Sequence, residues 1–211
     1  VIRQRNLAHV YFQDLLATTN IRQTDQSTVT GSDKVQGSTT KNYFGYGTGL
    51  RYMFFDPLAV KVSYEHSVRL PIARELLGNG TTIYANVALK PEKSNNVNLA
   101  LFGTWHPAPG HTLYYEANGF LRYVDDYIQA TVETKEGMMQ YENVPAVHIK
   151  GIEGEVRYDW QSKLQLATNV SFQEARDQNR YKTDGKPSAT YNNRVPNRPW
   201  LFGSAEASYL F

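Results

Sequence analysis

The feature that most constrains this chain is an alternation of apolar and polar residues with a period of two, renewed segment after segment. Leu58, Val60, Val62 and Tyr64 alternate with Ala59, Lys61, Ser63 and Glu65. Phe44, Tyr46, Leu50, Tyr52 and Phe54 alternate with Gly45, Gly47, Gly49 and Arg51. Ile152, Val156, Tyr158 and Trp160 alternate with Gly151, Glu153, Glu155 and Arg157, and Leu164, Leu166, Val170 and Phe172 with Gln165, Asn169, Ser171 and Gln173. Successive side chains of an extended backbone leave opposite faces, so each segment reads as a strand with one apolar and one polar face.

The pattern predicts strands at about 3–16, 43–55, 58–67, 94–105, 112–131, 147–160, 163–176 and 199–211. Several are far longer than the ~5–6 residues usual in globular proteins, and suit a wall that continues beyond a membrane. The connections alternate in length. Asp56-Pro57, His106 to His111 and Gln161-Ser162 are tight, whereas about 20–42, 68–93, 132–146 and 177–198 are long and mostly rich in Gly, Ser, Thr, Asn and Lys. Short turns at one end and long loops at the other mark an antiparallel up-and-down transmembrane β-barrel. The apolar rows are densest beside the short turns, where Phe54, Trp105, Tyr115, Tyr158 and Trp160 would form an interfacial aromatic girdle.

Composition narrows the alternatives. The 211 residues carry 22 basic and 20 acidic side chains, a net charge of +2, with no basic block to suit a nucleic acid. Without cysteine there is no disulfide, thiolate metal site or cysteine nucleophile. Mean hydropathy is low, −0.52, and the runs free of polar residues are too short to build an apolar helix of ~20 residues, but a barrel strand needs apolar residues only at every second position. A chain that begins at Val1 inside a patterned segment is expected to be a piece of a larger wall.

Residues 68–100 carry a motif: Arg69, Pro71, Glu75 and Gly78, then Asn86, Leu89, Pro91, Glu92, Ser94 and Asn96. It resembles the R-x-P-x-x-x-E-L-x-G … N-x-x-L-x-P-E-x-S-x-N segment of TonB-dependent outer-membrane receptors. Asn118 to Ile128 is similar to the N-x-F-x-R-x-x-D-D-x-I strand of that family, and Asn143 with Gly151 to Glu155 to its N … G-x-E-x-E strand. Arg194 to Pro199 is similar to its R-x-P-x-x-P lead-in. The resemblance covers roughly residues 43–211. It implies a barrel of about 22 strands around a plug, to which this chain contributes about eight, as one partial-barrel domain spanning residues 1–211. It implies a bacterial outer-membrane location, contact with outer-membrane lipid, and uptake of a scarce nutrient (siderophore, haem, vitamin or glycan) by plug movement. The TonB–ExbB–ExbD complex would supply the energy, and a surface lipoprotein is a candidate partner. Neither plug nor TonB-binding segment is recognised within these residues.

The motif residues themselves read as architectural. Pro71 fixes its own φ and stops a ladder, Ala73 to Leu77 is good helix sequence, and Pro91 leads into a strand. On the polar rows, Arg51, Lys61, Glu65, Glu116, Arg122, Glu153, Glu155 and Arg157 are the candidates for facing a lumen or plug. Set against this is a solvated face that balances its own charge, with Glu153 and Arg157 as a pair to reverse. His9, His66, His106, His111 and His148 are scattered and read as solvated strand-end residues rather than metal ligands, although His66 and His148 fall where a haem could be gripped. Gly45, Gly47 and Gly49 leave space for a plug on one face, and Tyr84, Tyr141, Tyr181 and Tyr191 could stack on cargo or pack loops. No nucleophile–base pair is placed together, so neither catalysis nor a resident cofactor is expected. The alternative is a passive porin or a small structural outer-membrane barrel.

Overall fold

The structure, a computed structural model, describes residues 9–24, 36–55, 57–132, 137–181 and 185–210, with the backbone alone for 9–24 and 36–42. The start of the first expected strand, Asp56, Phe211, the His9 side chain and parts of three expected loops lie outside the described residues.

Nine strands and one helical turn follow in order: β1 (His9–Thr24), β2 (Gln36–Phe55), β3 (Leu58–Arg69), α1 (Ala73–Leu77), β4 (Ile83–Tyr84), β5 (Glu92–Trp105), β6 (His111–Val132), β7 (Met139–Trp160), β8 (Leu164–Asp177) and β9 (Leu201–Tyr209). They form one sheet in the order β1-β2-β3-β5-β6-β7-β8-β9, with β4 paired to β7 off that path. Every long strand is antiparallel to its neighbours; β4 alone runs parallel to its partner. The eight expected strands are therefore present in an up-and-down sheet. Several outrun their expected bounds: β2 starts at Gln36, and β7 at Met139. At these ends the backbone ladder continues through sequence with no sustained apolar–polar alternation, so periodicity cannot mark the boundary.

The short turns are built by local chemistry. Gln161 and Ser162 both have positive φ (50° and 57°), and Lys163 N–H donates to the Trp160 carbonyl at 2.8 Å. That is a type I′ loop, whose twist matches the strands it joins. The Ser162 N–H is held by the Asp159 carboxylate at 3.1 Å, and Gln161 N–H reaches the Gly110 carbonyl of the adjacent turn at 2.7 Å. Gly103 is required for another reason. The Tyr115 hydroxyl passes it to donate to the Pro57 carbonyl, and a Cβ at Gly103 would strike that carbonyl.

The opposite end carries the long connections. Between β3 and β5 the chain forms α1 and β4 and folds across β7, with Ile83 and Leu89 buried. A small apolar core sits at this end: Val124, Tyr127, Val147, Ile149 and Ala175, with Val195 from the β8–β9 connection packed against them.

Candidate functional site

Cross-strand partners share a face of a sheet, so the register sorts the side chains. Along one face Leu50, Val62, Leu99, Gly119, Ile152, Phe172 and Leu201 form one continuous cross-strand row. This face is apolar and yet exposed: Leu99 is 51% accessible and Ile152 65%. A continuous exposed apolar face of this kind marks a contact with lipid or protein.

Aromatic rings border it at both ends. Beside the short turns Trp105 pairs with Leu113, Tyr115 with Val156, and Tyr158 with Leu166, while the His111 and Trp160 rings stack at 6.2 Å. Phe54 meets Tyr52 edge-on at 5.0 Å in the same region. The five expected aromatics thus gather at one end of the sheet. The other border was not expected from sequence. Tyr46 lies 6.0 Å from Tyr64 and 5.3 Å from His66, and Tyr123 meets His148 edge-on at 4.6 Å. The Tyr64 hydroxyl donates to the Asn95 side-chain carbonyl at 2.8 Å, and His66 Nδ1 lies 2.9 Å from the same oxygen. His66 and His148 therefore continue the apolar rows, opposite the charged face. Among the described residues no group of three His, Cys, Asp or Glu side chains is placed to hold a metal.

All eight charged candidates fall on the other face. Arg51 opposes Lys61, Glu65 opposes Gly47 and Asn96, Arg122 opposes Asn96, and Glu116 opposes Glu155. Arg51 lies over the Phe102 ring at 4.8 Å, where a delocalised cation is attracted to the π face. Arg157 bonds to Glu155 and covers the Tyr114 ring at 5.0 Å, while the Tyr114 hydroxyl donates to Glu116. Glu153 has separate neighbours: Asn118 Nδ2 and the Ser171 hydroxyl both stand 3.4 Å from its oxygens. Of the two charges named together for reversal, Arg157 is engaged by Glu155 and Glu153 is not its partner. Residues two apart on a strand share a face, and the nearer carboxylate takes the guanidinium. Glu206 on β9 and the amides Asn98 and Asn118 join this face unforeseen. Asn96, nearly buried, offers its Nδ2 to Ser67 and Ser94 at 3.2 Å each while its Oδ1 stays unpartnered.

The motif residues assemble the connection between β3 and β5. Arg69 reaches Glu92 at 2.6 Å and Glu75 at 3.0 Å. The two carboxylates, 9% and 12% accessible, hold that guanidinium more firmly in its charged form, Glu92 first. Glu75 also accepts from Ile72 N–H at 2.9 Å, which caps α1. Gly78 has φ +64°, and a Cβ there would run into the Ile83 carbonyl, so only glycine lets the chain reverse. Asn86 donates to the Tyr141 carbonyl at 2.8 Å. Asn143 accepts from Lys90 N–H (2.8 Å) and donates to the carbonyls of Lys90 (3.0 Å) and Asp126 (2.7 Å), where Asp126 has a left-handed φ of 54°. These contacts tie the β3–β5 connection to β6 and β7.

A family profile described as "TonB dependent receptor-like, beta-barrel" matches residues 3–211. Comparison with curated proteins found no match. Among solved structures, the chain is similar to the copper transporter OprC (TM-score 0.70, 16% identity), with 96% of this chain aligned to 30% of that one. It is similar to the ferric-catecholate import receptor Fiu of E. coli K12 (TM-score 0.56, 17% identity, 96% and 29%). A third is a double mutant of the Serratia marcescens hemophore receptor HasR, in complex with its hemophore and heme (TM-score 0.51, 16% identity, 96% and 36%). The chain spans about a third of the length of these structures, whose likeness is one of fold.

Proposed function

This chain belongs to the TonB dependent receptor-like, beta-barrel family, and from that premise we propose that it is part of the wall of a bacterial outer-membrane receptor importing a scarce nutrient. The observation that carries the reading is the division of the sheet into an exposed apolar face bordered by aromatic rings and an opposite charged face. Lipid meets the first, and water or an internal plug domain meets the second. From Trp160 to His148, border to border, is about 40 Å along the strand at ~3.4 Å per residue, or about 30 Å across once strands tilt by ~40°. That accommodates an apolar band ~25 Å tall with its flanking rings. No helix among the described residues is long and apolar enough to cross a membrane, so the crossing falls to the strands.

On the charged face Arg51, Lys61, Glu65, Glu116, Arg122, Glu153, Glu155 and Arg157 face the lumen or the plug. Glu153 has only long, uncharged contacts and would accept a donor from the plug. Gly45, Gly47 and Gly49, on β2, leave room for a plug at another part of that face. The work is transport rather than catalysis: energised plug movement, driven through TonB, ExbB and ExbD, admits a siderophore, haem, vitamin or glycan, with a surface lipoprotein as an auxiliary partner. Growth of a strain lacking the full receptor is tested under iron, vitamin or glycan limitation, with uptake of the labelled nutrient. The expected result is a defect confined to one nutrient and reproduced by loss of TonB. Uptake at an undiminished rate without TonB would point to a passive pore instead.

A further inference from the structure

Where the apolar rows approach the His148 border, the lipid-side face changes character at one place. Lys150 continues the row of Ile152 on β7, and Glu174 and Arg176 continue that of Phe172 on β8. Arg194 bridges to Arg176 from the connection that leads into β9. Three cations surround one carboxylate: Arg176 at 2.6 Å, Arg194 at 3.3 Å and Lys150 at 3.6 Å from Glu174. Holding a loop would require one cation, and Arg176 suffices, since it also donates to the Asn192 carbonyl at 2.7 Å. Lys150 and Arg194 remain mostly exposed, so the group presents about two uncompensated positive charges at the edge of an apolar surface. Beside them lies a groove of ≈ 430 Å³ lined by Leu121, Tyr123 and Asn192 and by Lys150, Glu174 and Arg176, which Arg194 meets through Glu174.

We propose that this groove binds the phosphate group of an outer-leaflet lipid, whose acyl chains lie along the Leu121, Ile152 and Phe172 rows. The inference rests on the membrane reading above and adds a ligand to it. Two arguments favour a lipid over a soluble anion. The cations sit on the same face as the apolar rows, opposite the candidate lumen residues, and the groove is continuous with those rows. Basic side chains at this depth attract anionic headgroups by about fivefold in binding per charge.

The test uses the full-length receptor in neutral detergent, titrated with diphosphorylated lipid A, with dephosphorylated lipid A and with inorganic phosphate, and read by native mass spectrometry. The variant Lys150→Gln with Arg194→Gln keeps Arg176 and its loop contact; Lys163→Gln, beside a short turn, is the charge control. Expected are an affinity for diphosphorylated lipid A about 25-fold lower in the double variant, no change in Lys163→Gln, and weaker binding of the dephosphorylated lipid. Equal binding by the double variant and the parent, equal binding of both lipids, or displacement of lipid by millimolar phosphate would each overturn the proposal. A parent that does not fractionate with the outer membrane sinks the membrane reading as well; one that inserts normally but ignores the phosphate sinks this inference alone.

Discussion

Arg69 shows how much of a motif can rest on one side chain. Its guanidinium is the shared partner of Glu75, which caps α1, and of Glu92, which opens β5. Replacing it with glutamine strands two largely buried carboxylates, a change that costs about 1–3 kcal/mol when no water can reach the group. Arg69 is itself 43% accessible, so water partly replaces it and the lower end applies. Arg69→Gln should therefore lower the urea midpoint of the folded receptor by about 1 kcal/mol equivalent and open the connection at 70–91 to protease on intact cells. An uncut connection in the variant would show that α1 stands without the pair. Neither partnership was legible in the sequence. The motif announced that these residues belong together, but Glu92 lies 23 positions from Arg69, and only the β3–β5 register brings them face to face.

At the scale of the element, the connection between β8 and β9 is tied to the sheet through Glu174. Its carboxylate holds Arg176 at 2.6 Å, and Arg176 donates to the Asn192 carbonyl of the connection at 2.7 Å. Glu174→Gln should leave that connection more readily cleaved by protease than in the parent. Equal cleavage of the two would assign the tie to other contacts. Elements were legible in proportion to how sharply their two faces differ. From Leu58 to Tyr64 the alternation gave the strand and its start. At Gln36–Asn42 and Met139–Ala146 the residues show no sustained alternation, so the backbone ladder continues without a compositional trace. The helical turn at Ala73–Leu77 was legible from its residues alone, because its cap is local.

For the whole molecule, the decisive comparison is between neighbours one residue apart. Val62 lies mid-band between Leu50 and Leu99; Ser63 lies on the reverse face between Gly49 and Asn98. Val62→Arg should destabilise the inserted barrel by about 2–4 kcal/mol, as a cation at the bilayer midplane does, whereas Ser63→Arg should fold nearly as well as the parent. The fraction of receptor migrating as a folded band on unheated gels reads both; equal losses would mean that lipid does not touch the Val62 face. The eight charged candidates were sorted onto one side by the same counting, because period two is enough to say which residues share a face. Which charges pair within that face was not, since it depends on reach between rows.

Apart from the short β4 on β7, each long strand bonds only to the long strand before it and the long strand after it in the chain. A wall threaded in this way can gain or lose material at any point, but only in twos. Duplicating or deleting a whole hairpin leaves every later connection on its own side of the membrane, whereas removing a single strand would turn all that follows upside down. The unit on which such a receptor could be widened, narrowed or recombined during evolution is thus the hairpin with its short turn, here β2 with β3, β5 with β6, and β7 with β8.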